Sequence, residues 1–468
     1  MSALDRAAGL GFPSSRSLSS EMAATFALAW PLIATNLAAI GMTTTDVMML
    51  GWLSPEALAG GSLGFNLYFP FFLFGVGVVG AVSPLAAHAY GADRADRASV
   101  RAIAQHGLIA ALVIALPAWL VLWFAEPILT AIGEPPALTK IARVYVHGLQ
   151  WALLPGLGYF VLRGAFAALD RVGPIFITAL AAFLFNAAAA YGLIFGKFGL
   201  PALGVFGSGL ATTSAQCFMA LALIAYAHFD RGLKPYGLAS LRFRLSLARL
   251  RRHWRLGLPM GLQLLAEVSI FAGSALAMGL LGPSSIEAHA VVLQIASLAF
   301  AVPLGIGQGA IVRVGQSFGA RDHLGVARAG LAALVLTCAF AAGSATLMLT
   351  LPRLLLSAFF DVGAPSNAAT IALAFVFLRV AAALHVFDGL QATLACMLRG
   401  LHDTRWPMIL ALVGYWGVGA PLGLMLAFLT PLAGVGLWLG LAAGLFVVAA
   451  LLGLRWRQRL RAVRGTAA

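Results

Sequence analysis

Three carboxylates stand where carboxylates are costly. Asp46 in TTTDVMM, Glu267 in LLAEVSIF and Asp388 in HVFDGLQ each interrupt an apolar run. A charged side chain at the centre of a bilayer costs at least about 2.5 kcal/mol on insertion scales, so such residues face a cavity or a partner and mark ion or proton pathways. A carboxylate held there can take up a proton or a sodium ion and release a cationic compound, or the reverse, which is the chemistry of an antiporter. The plainer uses are a hydrogen bond between helices or a helix-end residue near water. No lysine shares these runs, so the buried charge suits cations. An anion or sugar-phosphate carrier would place Arg or Lys in its cleft.

The neighbours add less. Arg379 precedes Asp388 by nine residues on the same run, about 13 Å along a helix axis. That is too far for a contact pair, and Arg379 is expected to snorkel to the interface. His385 is one turn from Asp388 and could share its face; a packed neutral imidazole and a proton relay are both open, as they are for His147 and His289. Tyr68, Phe69, Phe71, Phe72, Tyr159, Phe160, Phe185, Tyr191, Tyr415 and Trp416 could offer ring faces to a cation, or simply meet lipid. No GxxxxGK[ST] and no HExxH occurs, and GVGVVG (75–80) lies within an apolar run, where helix packing explains it. Cys217, Cys338 and Cys396 are far apart, with no CxxC among them, so neither a zinc site nor a disulfide framework is indicated. No cofactor is implied.

The elements that must position these residues are helices. The chain has 468 residues, 61% hydrophobic and 10% charged, against about 25% charge in a soluble domain. Apolar runs predict twelve spans at roughly 22–50, 59–87, 102–124, 139–161, 170–195, 203–228, 256–280, 287–315, 326–350, 367–396, 406–428 and 433–455, each long enough to cross a bilayer. The net charge of +14 reads as the positive-inside rule rather than as a nucleic-acid surface. With the N-terminus inside, 25 of the 30 Lys and Arg fall in inner segments, Arg163, Arg313 and Arg399 among them. Lys140, Arg143, Lys197 and Arg353 fall outside. Both termini are therefore expected in the cytoplasm, and Glu21 before the first helix.

The expected organisation is an N-terminal segment (1–21), a six-helix lobe (22–228), a basic linker (229–255), a second six-helix lobe (256–455) and a basic tail (456–468). The lobes read as a duplication. Pro31 falls on Pro259, Gly51 on Gly279, Ala59 near Ala288 and Tyr90-Gly91-Ala92 on Phe318-Gly319-Ala320. Six helices per repeat put the pseudo-symmetry axis along the membrane normal and the substrate path between the lobes.

Seven stretches in order resemble the MATE (multidrug and toxic compound extrusion) family, bacterial sodium-driven branch. They are Pro31 with Asp46 and VMMLG; FGKFGLPALGVFGSGLAT (195–212); LGLPMGLQLLAEVSIF (256–271); AHAVVLQIASLAF (288–300); IVRVGQSFGA (311–320); LRGLHDTRWPM (398–408); and YWGVGAPLG (415–423). The resemblance covers roughly 22–455. It implies that Asp46 and Asn186 serve ion coupling in the first lobe, and that Glu267 and Asp388 form the cation site of the second, where Na+ could bind. Two positions depart from relatives: Leu384 stands where some carry tyrosine, and Ala190 where one branch carries a second aspartate.

The reading is an all-α polytopic transporter that exports cationic amphipathic compounds in exchange for Na+ or H+ by alternating access. Its partners are small organic cations and membrane lipid, not nucleic acid. The expected site is the bacterial inner membrane, and the resemblance implies a monomer. A flippase for lipid-linked saccharides or an organic-acid exporter would keep the fold and change the cargo. An enzyme would need a nucleophile–base pair or metal cluster that the sequence does not offer, and saturable uphill transport would exclude a passive channel.

Overall fold

The computed structural model describes residues 17–240, 245–361 and 364–465. Asp5, Arg6, Arg16, Arg242 and Arg244, most of segment 1–21 and the last three residues lie outside these, as does the side chain of Arg464. Among the described residues there are no strands and twelve helices long and apolar enough to span a membrane. These are α1 (Leu18–Leu53), α2 (Pro55–Ala92), α3 (Arg97–Trp123), α4 (Pro136–Ala168), α5 (Gly173–Phe195), α6 (Gly204–Phe229), α7 (Leu247–Gly279), α8 (Pro283–Gly319), α9 (His323–Thr350), α10 (Ala368–Gly400), α11 (Arg405–Phe428) and α12 (Gly434–Val463).

Every expected span is present, and several run further at the Arg-rich end of the bundle. α7 starts at Leu247, within the basic linker, and α4 continues past Arg163 to Ala168. Hydropathy ends a span where charge begins; the backbone ends it at a cap. Ser54 accepts from the Ala57 N–H with Pro55 beside it, and Asp96 and Asp322 accept from Ser99 and Gly325, which are ordinary N-caps. Gly196 closes α5 at φ 69°, a left-handed backbone that glycine adopts without strain. Outward-facing Leu120, Ile177, Leu184, Leu221 and Leu276 are largely exposed, as the lipid face of a span should be.

Two apolar cores divide the bundle. One gathers residues from Leu28 to Leu238 and takes in Val312; the other runs from Ala266 to Trp456 and takes in Ala29. Each half thus lends one side chain to the other's core. The seam between them is built on glycine. A Cβ on Gly91 would run into the carbonyl of Gln316, and one on Gly319 into the carbonyl of His88. The offset that lays Pro31 on Pro259 also lays Gly91 on Gly319 and His88 on Gln316, so the two contacts are one contact repeated. Gly77 against Gly261 and Gly305 against Ile33 are a second such pair. A duplicated packing interface is what a duplicated sequence produces.

Polar links reinforce this end of the seam. Glu21, inside the first turn of α1 rather than ahead of it, pairs bidentately with Arg313 of α8 at 2.8 Å. Gln316 donates to the Ala168 carbonyl (3.1 Å) and to Asp170 (3.0 Å), and His402 contacts the Pro84 carbonyl (3.2 Å).

Candidate functional site

α1, α5 and α6 meet around Asp46. Asn186 Nδ2 donates to Asp46 Oδ1 at 2.8 Å, and Thr212 Oγ1 donates to Oδ2 at 2.8 Å. Asp46 is 7% exposed and Asn186 fully buried. Met49, Ala190, Ile194 and Ala211 form an apolar wall beside them, so Ala190, one of the two departures, packs as part of the enclosure. The Asn186 Oδ1 atom is buried without a partner, a free acceptor next to a carboxylate. Tyr145 on α4 lies within electrostatic reach of Asp46. The structure therefore brings Asp46 and Asn186 together and adds Thr212 and Tyr145. Thr212 ends the 195–212 stretch, and its residue type alone carries no signal for this role.

The second site lies between α7, α10 and α11. Glu267 and Asp388 interact electrostatically, and Arg399 reaches Glu267. Gln391 donates to Asp388 Oδ1 at 3.3 Å, and Arg399 Nη2 donates to Gln263 Oε1 at 3.0 Å. Tyr415 senses both carboxylates and Arg399. It sits on a π-helical segment, Val413–Gly419, inside α11; such a bulge re-aims side chains and is frequent at functional sites. The Tyr415 hydroxyl, Gln391 Oε1 and Arg399 Nε are buried without partners. The cluster is rich in donors and acceptors that the protein itself leaves open.

Arg399 corrects the sequence reading. It was expected in an inner loop; it is 9% exposed within α10. Arg163 is also inside a helix, 7% exposed on α4, and donates to Asn36 of α1 and Gln308 of α8. Arg313 likewise belongs to α8. Arginine terminates an apolar run but not a helix, and with a partner in reach it can be buried. Arg379 is exposed on α10. The histidines pack against rings: His385 edge-on to Phe340, His289 edge-on to Trp438 and His147 stacked on Trp123.

Between α2, α7 and α11 runs a cleft of about 490 Å³ lined by Pro70, Leu73, Leu265, Ser269, Met408 and Trp416. It is almost wholly apolar and of the size that holds a drug-sized molecule. Residues on either side of Glu267 line it. Trp416 stands at its wall while Tyr415 turns into the carboxylate cluster.

Twelve spans in two repeats, with a buried carboxylate site in each, define a polytopic membrane transporter rather than an enzyme. The MatE family profile matches residues 31–192 and 259–425. The chain is 47% identical over 441 residues to a protein called probable multidrug resistance protein NorM in Mesorhizobium japonicum, covering 94% of each. It is 44% identical to the Brucella suis protein of that name (96% of this chain, 95% of that one) and 40% to the Pseudomonas putida one (94% and 95%). Its fold matches the crystal structure of the eukaryotic MATE transporter AtDTX14 (TM-score 0.83, 22% identity, 96% and 100% covered) and that of MATE in complex with MaL6 (0.86, 19%, 95% and 97%). The chain belongs to the MATE family.

Proposed function

We propose that this protein exports cationic amphipathic compounds from a bacterial cytoplasm, driven by entry of Na+ or H+, by alternating access across the inner membrane. The two lobes (22–228 and 256–455) rock about the glycine seam, with both termini and the basic linker (229–255) cytoplasmic, and the protein works as a monomer. The reading rests above all on one arrangement: a buried carboxylate site in each half, on either side of a seam tied together toward the Arg-rich end. The names carried by the relatives, multidrug resistance proteins, point the same way.

The geometry supports the following residue roles. Asp46, held by Asn186 and Thr212, has no cationic partner among the described residues and is suited to a proton or ion arriving from outside. Glu267 and Asp388, with Gln391 and Tyr415 offering oxygens, suit a sodium ion or a cationic amine as cargo. The apolar cleft beside them takes the hydrophobic body of the compound. Coupling then works by competition: the ion reduces the carboxylate charge and weakens the hold on the organic cation. Linkage requires the organic cation to weaken ion binding by the same factor.

Uptake of a cationic dye into inside-out vesicles, under an imposed Na+ or H+ gradient, tests this. One gradient drives uphill uptake, and Glu267→Gln and Asp388→Asn each reduce it at least tenfold at equal protein level. Failure of both gradients with every cationic dye sinks the reading. One observation favours an anionic cargo instead, the buried Arg163 at the seam; uphill transport of an organic acid without any cationic dye would support that alternative.

A further inference from the structure

The guanidinium of Arg163 has no role in the coupling scheme above, yet it lies deep in the bundle where the halves meet. Its Nη2 donates to Asn36 Oδ1 at 2.9 Å and to Gln308 Oε1 at 2.6 Å, and Asn36 Nδ2 contacts the same Gln308 oxygen at 3.4 Å. The Phe160 ring lies below it, 5.3 Å from the guanidinium carbon to the centroid. Every one of these neighbours is neutral. Among the described residues no carboxylate comes within ion-pair distance of Arg163, and the titratable group it senses is Tyr159. Among the described residues Nε and Nη1 find no protein acceptor, and they are not fully enclosed. Asn36, Gln308 and Phe160 are only half-buried, so the enclosure is open on one side.

Two other arginines inside helices, the part-buried Arg313 and the buried Arg399, are unlike it. Arg313 has Glu21 at 2.8 Å on two nitrogens, and Arg399 has Glu267 in reach. An intramembrane cation without a counter-ion is costly and marks function. A guanidinium with unused N–H groups is a fork shaped for the two oxygens of a carboxylate.

We propose that Arg163 is the residue that recognises a carboxylate on the exported compound, and so sets the preference between amphoteric and plainly cationic cargo. The compound's amine goes to an acidic site and its carboxylate to Arg163. The inference rests on the export reading and deepens it. The docked carboxylate competes with the Gln308 amide oxygen, which belongs to the opposite half, so its arrival also removes a link across the seam.

The test uses a matched pair of xanthene dyes, one with a free carboxyl group and one its ethyl ester. Both are followed in inside-out vesicles, and their equilibrium binding is measured on the purified full-length protein in detergent. Arg163→Gln lowers the ratio of acid to ester, in uptake and in binding, at least tenfold, and Arg163→Lys restores part of it. Gln308→Ala, which removes the competing acceptor and keeps the charge, raises the ratio several-fold. A ratio unmoved by Arg163→Gln, or by Gln308→Ala if the first variant does not fold, overturns the proposal and leaves Arg163 a structural tie. Chloride-dependent ester uptake that disappears in Arg163→Gln would put a free anion in the site and also overturn it. If no gradient drives even the ester in the wild type, the export reading fails by itself, and the binding ratio still decides the role of Arg163.

Discussion

Asp46 and the Glu267–Asp388 pair occupy equivalent kinds of place, inside long helices of opposite halves, but their surroundings differ. Both oxygens of Asp46 accept a hydrogen bond at 2.8 Å from a neutral donor, and an apolar wall closes around them. Among the described residues no cation is bonded to it. The second site holds two carboxylates, one guanidinium in reach and three polar atoms without partners. The first encloses one charge and leaves a single acceptor, Asn186 Oδ1, open; the second is a more open cluster with a cation built in. A duplicated fold has therefore been given two different carboxylate sites. The first can be neutralised only by something that arrives, whereas the second begins partly neutralised.

The largest effect expected from this contrast is at Asp46. Asp46→Asn keeps the size and removes the charge, and gradient-driven dye uptake falls at least tenfold at equal protein level. The amide can accept from only one of its two present donors, leaving the other unsatisfied at about 1–3 kcal/mol, so thermal stability falls as well. If uptake survives while Glu267→Gln abolishes it, Asp46 is a structural hydrogen-bond centre and the comparison collapses to a single working site.

Arg399 sharpens the other side. If it acts as a resident competitor for the carboxylates, Arg399→Gln lowers the half-saturating concentration of the coupling ion several-fold. It also strengthens binding of a cationic dye in the same direction. No change in either would mean that Gln263, not the carboxylate pair, is what Arg399 serves.

Asn186 and Thr212 separate holding a charge from binding an ion. Thr212→Val removes one hydrogen bond to the carboxylate, a loss of roughly 1.5–3 kcal/mol for a charged acceptor, together with the longer 3.3 Å contact to the Ser208 carbonyl on its own helix. Asn186→Ala removes such a bond and the free Oδ1 together. If that oxygen is an ion ligand, Asn186→Ala weakens ion affinity several-fold more than Thr212→Val does. Equal effects would reduce Asn186 to a donor.

The sequence made the helices and the acidic residues legible for a common reason: a carboxylate within an apolar run is conspicuous, and an apolar run of this length has few other folds. The resemblance then added Asn186. What hydropathy hid were the arginines packed within helices. Arg163, Arg313 and Arg399 follow apolar runs and sit near charged turns, so they look like loop residues. Their burial depends on partners far away in sequence: Asn36 and Gln308, Glu21, and Gln263. Glu21 was misplaced by the same logic, because its partner lies on α8. Thr212 and Tyr145 carry no signal of their own in a membrane helix. The π-helical turn that aims Tyr415 is a backbone event inside a motif already noticed, and only the coordinates separate Tyr415 from Trp416.

The smallest expected effect lies outside both sites, where the halves touch. His402, in the turn between α10 and α11, packs 4.9 Å from His88 of the opposite half and against the Pro84 carbonyl. Burial, then His88, holds the His402 imidazole down at about 4, with Arg252 adding to this and the Pro84 carbonyl opposing it. In the unfolded chain an ordinary histidine titrates near 6.5. Between about 4 and 6.5 the unfolded state therefore binds more protons, and stability rises with pH across that window. Acidifying from pH 7 toward 4.5 lowers the unfolding temperature of the wild type. His402→Gln keeps a donor for Pro84 and removes this titration, flattening that slope by about 1–2 °C. The acid sensitivity that survives in the variant belongs to the other titratable groups of the chain, and the difference between the two slopes measures what His402 contributes. An unchanged slope would remove the seam from that account.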